Sequence, residues 1–367
     1  MEPVISKISE EKDKLTFTLS GVNVSIANGL RRIASEIPTI VFRTSPHEAN
    51  KAKFEINTSR MNNELLKQRL SCIPIMAPPD FQPEDYIMVV DKQNKSSTIE
   101  YVSTADFEVY NTKTKEKDTQ MAAKLFPPNP LTGDYPELVR LLPRVSENIE
   151  GERLSLRAEF DVGTAAQDSA FNVVSSFVYG NTLDPIKIKT VWTEKKNELT
   201  KAGIPPAEMA FAEKDWYLLE AKRYYLPDSF DFTVETVGQY TNMEVVYQCT
   251  QLMMAKLQKL QNDIQSDMAT LILPSETTIP NSFDIILKNE DYTLGKVIEY
   301  VLYNSHYDKT LNYCGFRKPH PHIAESIIRI GFKNPTEKLT VVTYIVNAAN
   351  DALRAYEKIA TIFKVIE

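Results

Sequence analysis

A chain of 367 residues with 43% hydrophobic and 25% charged residues has ordinary globular composition and length enough for about two or three domains with real cores. Its net charge of -7 excludes a protein that grips nucleic acid through a broad basic face, because neutralising phosphates needs clustered Lys and Arg. Only three scattered cysteines, Cys72, Cys249 and Cys314, are present, which excludes a disulfide framework or a paired-cysteine metal site and points to a reducing, intracellular setting.

The opening MEPVISKISEEKDKL lacks an apolar signal core, and no run of about 18 apolar residues follows, so neither a leader nor a membrane span is expected. KLTFTLSGV alternates Leu15, Phe17 and Leu19 with polar neighbours, the period of a half-buried strand. A helix follows, capped by Asn23 or Ser25, with Ile26, Leu30, Ile33 and Ile37 at helical spacing and Pro38 as its end. TIVFR reads as another strand. NNELLKQRLSCIPI reads as a short helix capped by Asn62 or Asn63, carrying Leu65, Leu66 and Leu70 and closed by Pro74.

From 76 to 227 the texture changes to short alternating runs, such as YIMVV, RLSLRAEFDV and VVSSFVYG, separated by turn-formers; this predicts an inserted sheet-rich module. SFDFTVETVG returns to a strand with Phe230, Phe232 and Val234 on one face. A long helix from Asn242 to Ile264 follows, with Val246, Cys249, Met253, Leu257, Leu260 and Ile264 in one stripe. Residues 266–281 mix Pro, Ser and Thr around a short apolar island and read as a connector. The remainder, 282–367, reads as strand (SFDIILKN), capped helix (DYTLGKVIEYVLYN), strand (ESIIRIGF) and a long terminal helix with a stripe of Val342, Ile345, Val346, Ala349, Leu353, Tyr356 and Phe363. Asn334 as cap, Pro335 as first helical residue and Glu337 three beyond the cap have the pattern of a capping box.

These segments contain a repeat. NVSIANGLRRI from Asn23 aligns without gaps on DYTLGKVIEYV from Asp291, with no identity but with the same cap chemistry and apolar register. Both halves run strand, capped helix, strand, then a later strand feeding a long amphipathic helix. Two such units, each with more apolar helix surface than it can bury alone, predict an internal pseudo-twofold dimer. Its expected contacts are Ile26, Leu30, Ile33 and Ile37 of the first unit with Leu294, Ile298, Val301, Leu302, Val342, Ile345 and Leu353 of the second. Arg31 and Arg32 break the symmetry, since Glu299 and Tyr300 stand in their places, and this assigns the arginines to a separate partner.

The same residues resemble the assembly platform of multisubunit RNA polymerases. SIANGLRRIASEIPTIVF is similar to the signature shared by the archaeal D-type protein, the third-largest component of RNA polymerase II and bacterial alpha. INTSRMNNELLKQRLSCIPI is similar to the second motif of that family, with Asn63 in place of its usual Asp. FDFTVETVGQYTNMEVV resembles the family's last strand and the start of its dimerisation helix. NEDYTLGKVIEYVL and CGFRKPHP resemble the archaeal L-type protein and its counterpart, the eleventh component of RNA polymerase II, from which Tyr292 and Lys296 depart. The resemblance implies an α+β protein with two dimerisation units in tandem: residues 1–75 with 228–265 as the D-like unit, 76–227 nested in it, 266–281 as linker and 282–367 as the L-like unit.

It further implies a non-catalytic scaffold without cofactor, on which the second-largest and largest polymerase subunits assemble with small adaptor subunits, without sequence-specific nucleic-acid binding or membrane contact. Having both partners on one chain resembles the fused subunits of large DNA viruses, which would act in the virion and host cytoplasm. Asn28, Arg31, Arg32, Glu64 and Arg69 are the candidate contacts with the large subunits; the rigid guanidinium fork suits paired carboxylates or carbonyls. The family's metal site in the nested domain is not expected, because no cysteine lies between Cys72 and Cys249. The alternatives are a metal-dependent hydrolase using Cys314, His320 and His322, against which stands the lack of a fourth ligand, and direct nucleic-acid binding with a steep salt dependence. No carboxylate constellation for two-metal chemistry and no P-loop occurs.

Overall fold

The structure, a computed structural model, describes residues 1–11, 13–144, 146 and 150–364. Its first elements are strands β1 (Val4–Glu11) and β2 (Lys14–Ser20) and helix α1 (Val24–Ile33). Next come β3 (Thr39–Val41), β4 (Ala52–Asn57), α2 (Asn63–Ser71), β5 (Tyr86–Gln93), β6 (Glu100–Ser103), β7 (Glu108–Asn111), α3 (Thr119–Leu125), β8 (Glu137–Leu141), β9 (Arg153–Glu159) and β10 (Asp161–Gly163). They are followed by β11 (Val174–Leu183), α4 (Pro185–Lys201), α5 (Pro206–Leu218), β12 (Tyr225–Thr236) and α6 (Asn242–Ser266). The chain closes with α7 (Met268–Leu271), β13 (Ile272–Pro274), β14 (Ser282–Leu287), α8 (Tyr292–His306), β15 (Leu311–Arg317), β16 (Ser326–Phe332) and α9 (Lys338–Phe363).

The α+β fold divides into two compact units, one of residues 1–34, 176–235 and 242–367, the other of 35–175 with 236–241. The first unit carries two four-stranded sheets, in the orders β1-β2-β12-β11 and β13-β14-β16-β15. These orders correspond strand for strand. In each copy the second strand leads into a capped helix, α1 or α8, and the third strand of the order leads into a long helix, α6 or α9. Alternation supplies the cores: Leu15, Phe17 and Leu19 of β2 are buried, as are Phe230, Phe232 and Val234 of β12. Phe17 stacks on Phe232 at 4.9 Å between ring centres, and Phe363 at the end of α9 tilts against Phe17 at 4.9 Å.

The strand order moves the insertion point. The partner of β15 in the first copy is β11, not the strand at 39–41; β3 pairs instead with β10 in the other unit. The nested unit therefore enters directly after α1, and the boundaries placed at 76 and 227 from sequence texture shift to 35 and 175. Texture misled because residues before Met76 already belong to the nested core: Phe42, Leu66, Leu70 and Ile73 pack with Leu138, Leu156 and Phe160. The four-stranded sheet of this unit runs β4-β9-β5-β7.

Part of the stretch read as sheet-rich is helical. Helices α4 and α5 form a second insertion between β11 and β12, with a small core of Ile188, Trp192, Trp216 and Ala221. Asp184 starts α4 by accepting from the backbone N–H groups of Ile186 and Lys187, and Pro185 occupies its first turn. No apolar stripe announces α5, because Phe211, Leu218 and Leu219 face solvent. The segment read as a connector is also ordered: β13 pairs with β14, setting Ile272 opposite Ile285, so only the residues about Ser266 and Asp267 separate the two copies.

Three caps form where the sequence places them: Asn23 accepts from Ser25 N–H, Asn62 from Leu65 N–H and Asp291 from Thr293 N–H. The capping box of the terminal helix does not. Helix α9 starts at Lys338 with Glu337 at its cap and no side-chain cap bond, and the Thr336 hydroxyl donates to the Asn334 carbonyl at 2.9 Å, closing a turn ahead of the helix. Residues 365–367 of that segment lie outside the described residues. Helix α1 likewise ends early, at Ile33, and tightens into a 3-10 turn over Ala34–Glu36. Pro38 has no N–H to give and its ring conflicts with the carbonyl four residues earlier, so Ile37, though buried, lies beyond the helix and in the nested unit.

Candidate assembly interface

The two copies in the first unit meet through four helices: α1 packs on α8, α6 packs on α9, and α1 and α8 also touch the long helix of their own copy. Helix α1 buries Ile26, Ala27, Gly29, Leu30 and Ile33; α8 buries Leu294, Val297, Ile298, Val301 and Leu302 among others. Along α9, Val342, Ile345 and Leu353 are buried. Gly29 stands at a close approach, since a Cβ there would lie 2.7 Å from the Tyr356 hydroxyl and 3.3 Å from Val297 Cγ2. That hydroxyl donates to the Ile26 carbonyl at 3.2 Å. Polar contacts frame the apolar seam. Gln261 Nε2 of α6 donates to Val346 O at 3.2 Å and Asn350 Oδ1 at 2.7 Å, and Lys256 pairs with the well-shielded Glu290 at 3.1 Å.

The structure treats the two arginines differently. Arg32 reaches the second copy: its Nη2 donates to Asp291 Oδ2 at 2.7 Å and its Nε to the Thr293 hydroxyl at 3.0 Å. Burial alone would raise the Asp291 carboxyl. The Thr293 hydroxyl and N–H and the Arg32 guanidinium outweigh it and hold the group below the usual carboxylate range. Arg31 stays on its own helix, where Nε and Nη2 both donate to Asn28 Oδ1 at 3.1 and 3.0 Å, which presents a half-buried, pre-oriented guanidinium beside an amide.

The other two candidates sit on α2 of the nested unit. Arg69 is committed within that unit, donating to the carbonyls of Leu138 at 2.6 Å and Glu137 at 2.7 Å, so it pins β8 to α2. Glu64 is exposed and lines a recess with Thr44, His47, Lys67 and Cys72. Cys314, His320 and His322 do not converge. The Cys314 thiol donates to Glu299 O at 3.7 Å and burial pushes it up to about 12, whereas the histidines are exposed in the loop after β15. Among the described residues no three His, Cys, Asp or Glu side chains are grouped where they could hold a metal ion, which leaves the hydrolase alternative without a site. No helix among them is long and apolar enough to cross a membrane.

A family model described as the RNA polymerase Rpb3/Rpb11 dimerisation domain matches residues 16–257, and a second model of the same description matches 282–361. The chain belongs to the Rpb3/Rpb11 dimerisation family. It carries two such domains in tandem: the first match runs from β2 through the nested unit into α6, and the second from β14 into α9. DNA-directed RNA polymerase subunit Rpo3 of Pyrococcus furiosus is 26% identical over 282 residues, covering 70% of this chain and 95% of that protein. Rpo3 of Thermococcus kodakarensis is 27% identical over 280 residues, 70% of this chain and 96% of that protein. The RNA polymerases I and III subunit RPAC1 of Saccharomyces cerevisiae is 25% identical over 291 residues, 67% of this chain and 83% of that protein.

Within this Rpb3/Rpb11 pairing, sequence reasoning missed Gly29 and the bond from Arg32 to Asp291. The signal for Gly29 was present: a glycine inside a helix costs about 1 kcal/mol relative to alanine, so it calls for a packing reason.

Proposed function

We propose that this chain is a non-catalytic scaffold subunit of a multisubunit DNA-directed RNA polymerase, on which the second-largest and then the largest catalytic subunits assemble with small adaptor subunits. The observation that carries this is the closure of two Rpb3/Rpb11 dimerisation domains on each other within one chain, through α1 on α8 and α6 on α9. The names of the Rpo3 and RPAC1 relatives support it. Arg31 with Asn28 on α1, and Glu64 on α2, are the proposed direct contacts with the large subunits. Arg32 and Arg69 are proposed to support them, since each holds neighbouring structure in place. Such a scaffold acts inside a cell, and the tandem arrangement extends the proposal to a large DNA virus, with the protein in the virion and host cytoplasm. Purification of the tagged chain from its native source, followed by mass spectrometry, tests it: the two largest polymerase subunits are expected at comparable abundance, and their absence overturns the proposal.

A further inference from the structure

The gap-free alignment of α1 on α8 pairs Asn23 with Asp291, Gly29 with Val297 and Arg32 with Tyr300. One of these pairs meets across the seam, and the other two exchange members across it. Gly29 lies under Val297, its own counterpart, so this contact sits on the pseudo-twofold axis, a residue without a side chain against a branched one. Off the axis, Arg32 grips Asp291, the cap of the opposite helix. The symmetric place holds Tyr300 and Asn23, which line one recess with Ser25. Charge and size thus alternate across the seam.

We infer that Gly29 with Val297 and Arg32 with Asp291 form a pairing code that directs the first dimerisation domain to the second and rejects pairing of like with like. A pair of first domains would set Arg32 against a neutral Asn23 and glycine against glycine, with a void where Val297 fills the seam. A pair of second domains would set Val297 against Val297 at a spacing where one of its methyls already stands 3.3 Å from a Cβ position on Gly29. It would also set Tyr300 beside Asp291 without the guanidinium. Specificity of this kind needs both the attractive contact and the penalty on the alternative, and each appears here. The partner so excluded is a second copy of this chain joined through like domains. The inference rests on the seam alone, and its test contains no polymerase subunit, so it stands or falls apart from the proposed function.

The test keeps every residue of the chain. A protease recognition sequence inserted between Ser266 and Asp267 is cleaved in the folded protein, and the nicked protein is unfolded in denaturant and refolded by dilution. Native mass spectrometry then counts unlike pairs against like pairs. Unlike pairs are expected in about tenfold excess or more. Arg32→Gln with Asp291→Asn, which retains a capping side chain, lowers the excess several-fold, as does Gly29→Val alone. Gly29→Val with Val297→Gly and Tyr356→Phe recovers part of it, because the sizes are exchanged and the hydroxyl that a Cβ at 29 would meet at 2.7 Å is removed. A statistical mixture from the unaltered sequence, or one ratio across all variants, overturns the inference. A parallel measurement covers failure to refold: in the intact chain the urea midpoints of Arg32→Gln, Asp291→Asn and the double variant are non-additive, and strict additivity overturns the charge half of the code.

Discussion

Arg32 and Asp291, separated by 259 positions in the chain, meet at 2.7 Å with the Thr293 hydroxyl beside them, so one arginine of the adjacent pair joins the two dimerisation domains while Arg31 remains on α1. Adjacent residues on a helix point about 100° apart, and this rotation divides the labour.

The division predicts separable phenotypes. Arg31→Glu leaves the urea midpoint nearly unchanged, within about 0.5 kcal/mol of stability, yet reduces capture of the second-largest polymerase subunit in a pull-down. Arg32→Glu sets a carboxylate against Asp291 and lowers stability by about 1 kcal/mol, modest because both side chains of the native pair keep more than a third of their surface in water. Undiminished capture by the Arg31 variant would remove Arg31 from the proposed contact.

Stability falls in acid. Burial works against ionisation at Asp161, Asp284 and Asp291, but Arg43, Arg329 and the Thr293 and Arg32 donors hold all three carboxyls below their ordinary range. A group whose folded pKa is depressed contributes stability above its unfolded value, about 3.9 for Asp, and loses it as the pH falls through the folded value. The contribution of these carboxylates to the urea midpoint is therefore constant above about pH 5 and declines below about pH 4, while His306, held below its ordinary value by burial, adds a separate loss as the pH falls through about 6.5. Asp284→Asn, which removes a bidentate pair to Arg329 at 2.6 and 2.7 Å, flattens that decline; an unaltered acid limb would show that the pair contributes little.

Gly29→Ala tests the close approach at Gly29. Alanine favours the helix by about 1 kcal/mol, while overpacking a close-packed core costs about 1–3 kcal/mol. The new methyl would stand 2.7 Å from the hydroxyl of a buried Tyr356, on a rigid ring that cannot swing aside. The expected net loss is about 1 kcal/mol, seen as a lower thermal midpoint. Adding Tyr356→Phe removes the obstructing oxygen, so the double variant is more stable than Gly29→Ala alone; equal or lower stability would place the strain elsewhere.

The dimerisation domains were legible because their signals are local. Caps and apolar periods at Asn23, Asp291, Val246 and Ile345 act within one helix, and the repeat shows in the order of elements. The insertion point was not legible, because whether Thr39–Val41 or Val174–Leu183 completes the first sheet depends on pairing across more than a hundred residues. Helix α5 was hidden because Phe211 and Leu218 do not fall on a buried stripe. At the site, Arg31 and Arg32 look alike as letters, and only the approach of Asp291 from the other copy distinguishes them.

The three cysteines differ in exposure. Cys72 is exposed at the end of α2, Cys249 is fully buried in α6, and Cys314 lies in β15 with its thiol on Glu299 O. Burial pushes both the Cys249 and Cys314 thiols up, Cys314 to about 12 with the Glu299 carboxylate adding to it, so at pH 8 neither supplies the thiolate that alkylation requires. In the folded protein iodoacetamide should therefore modify Cys72 first, with Cys249 and Cys314 reacting on unfolding, as read by peptide mass mapping. The order also bears on chemistry, because a metal-binding Cys314 would have to be deprotonated. Labelling of Cys314 as fast as Cys72 in the native state would show an accessible thiolate there and contradict its packing between β15 and α8.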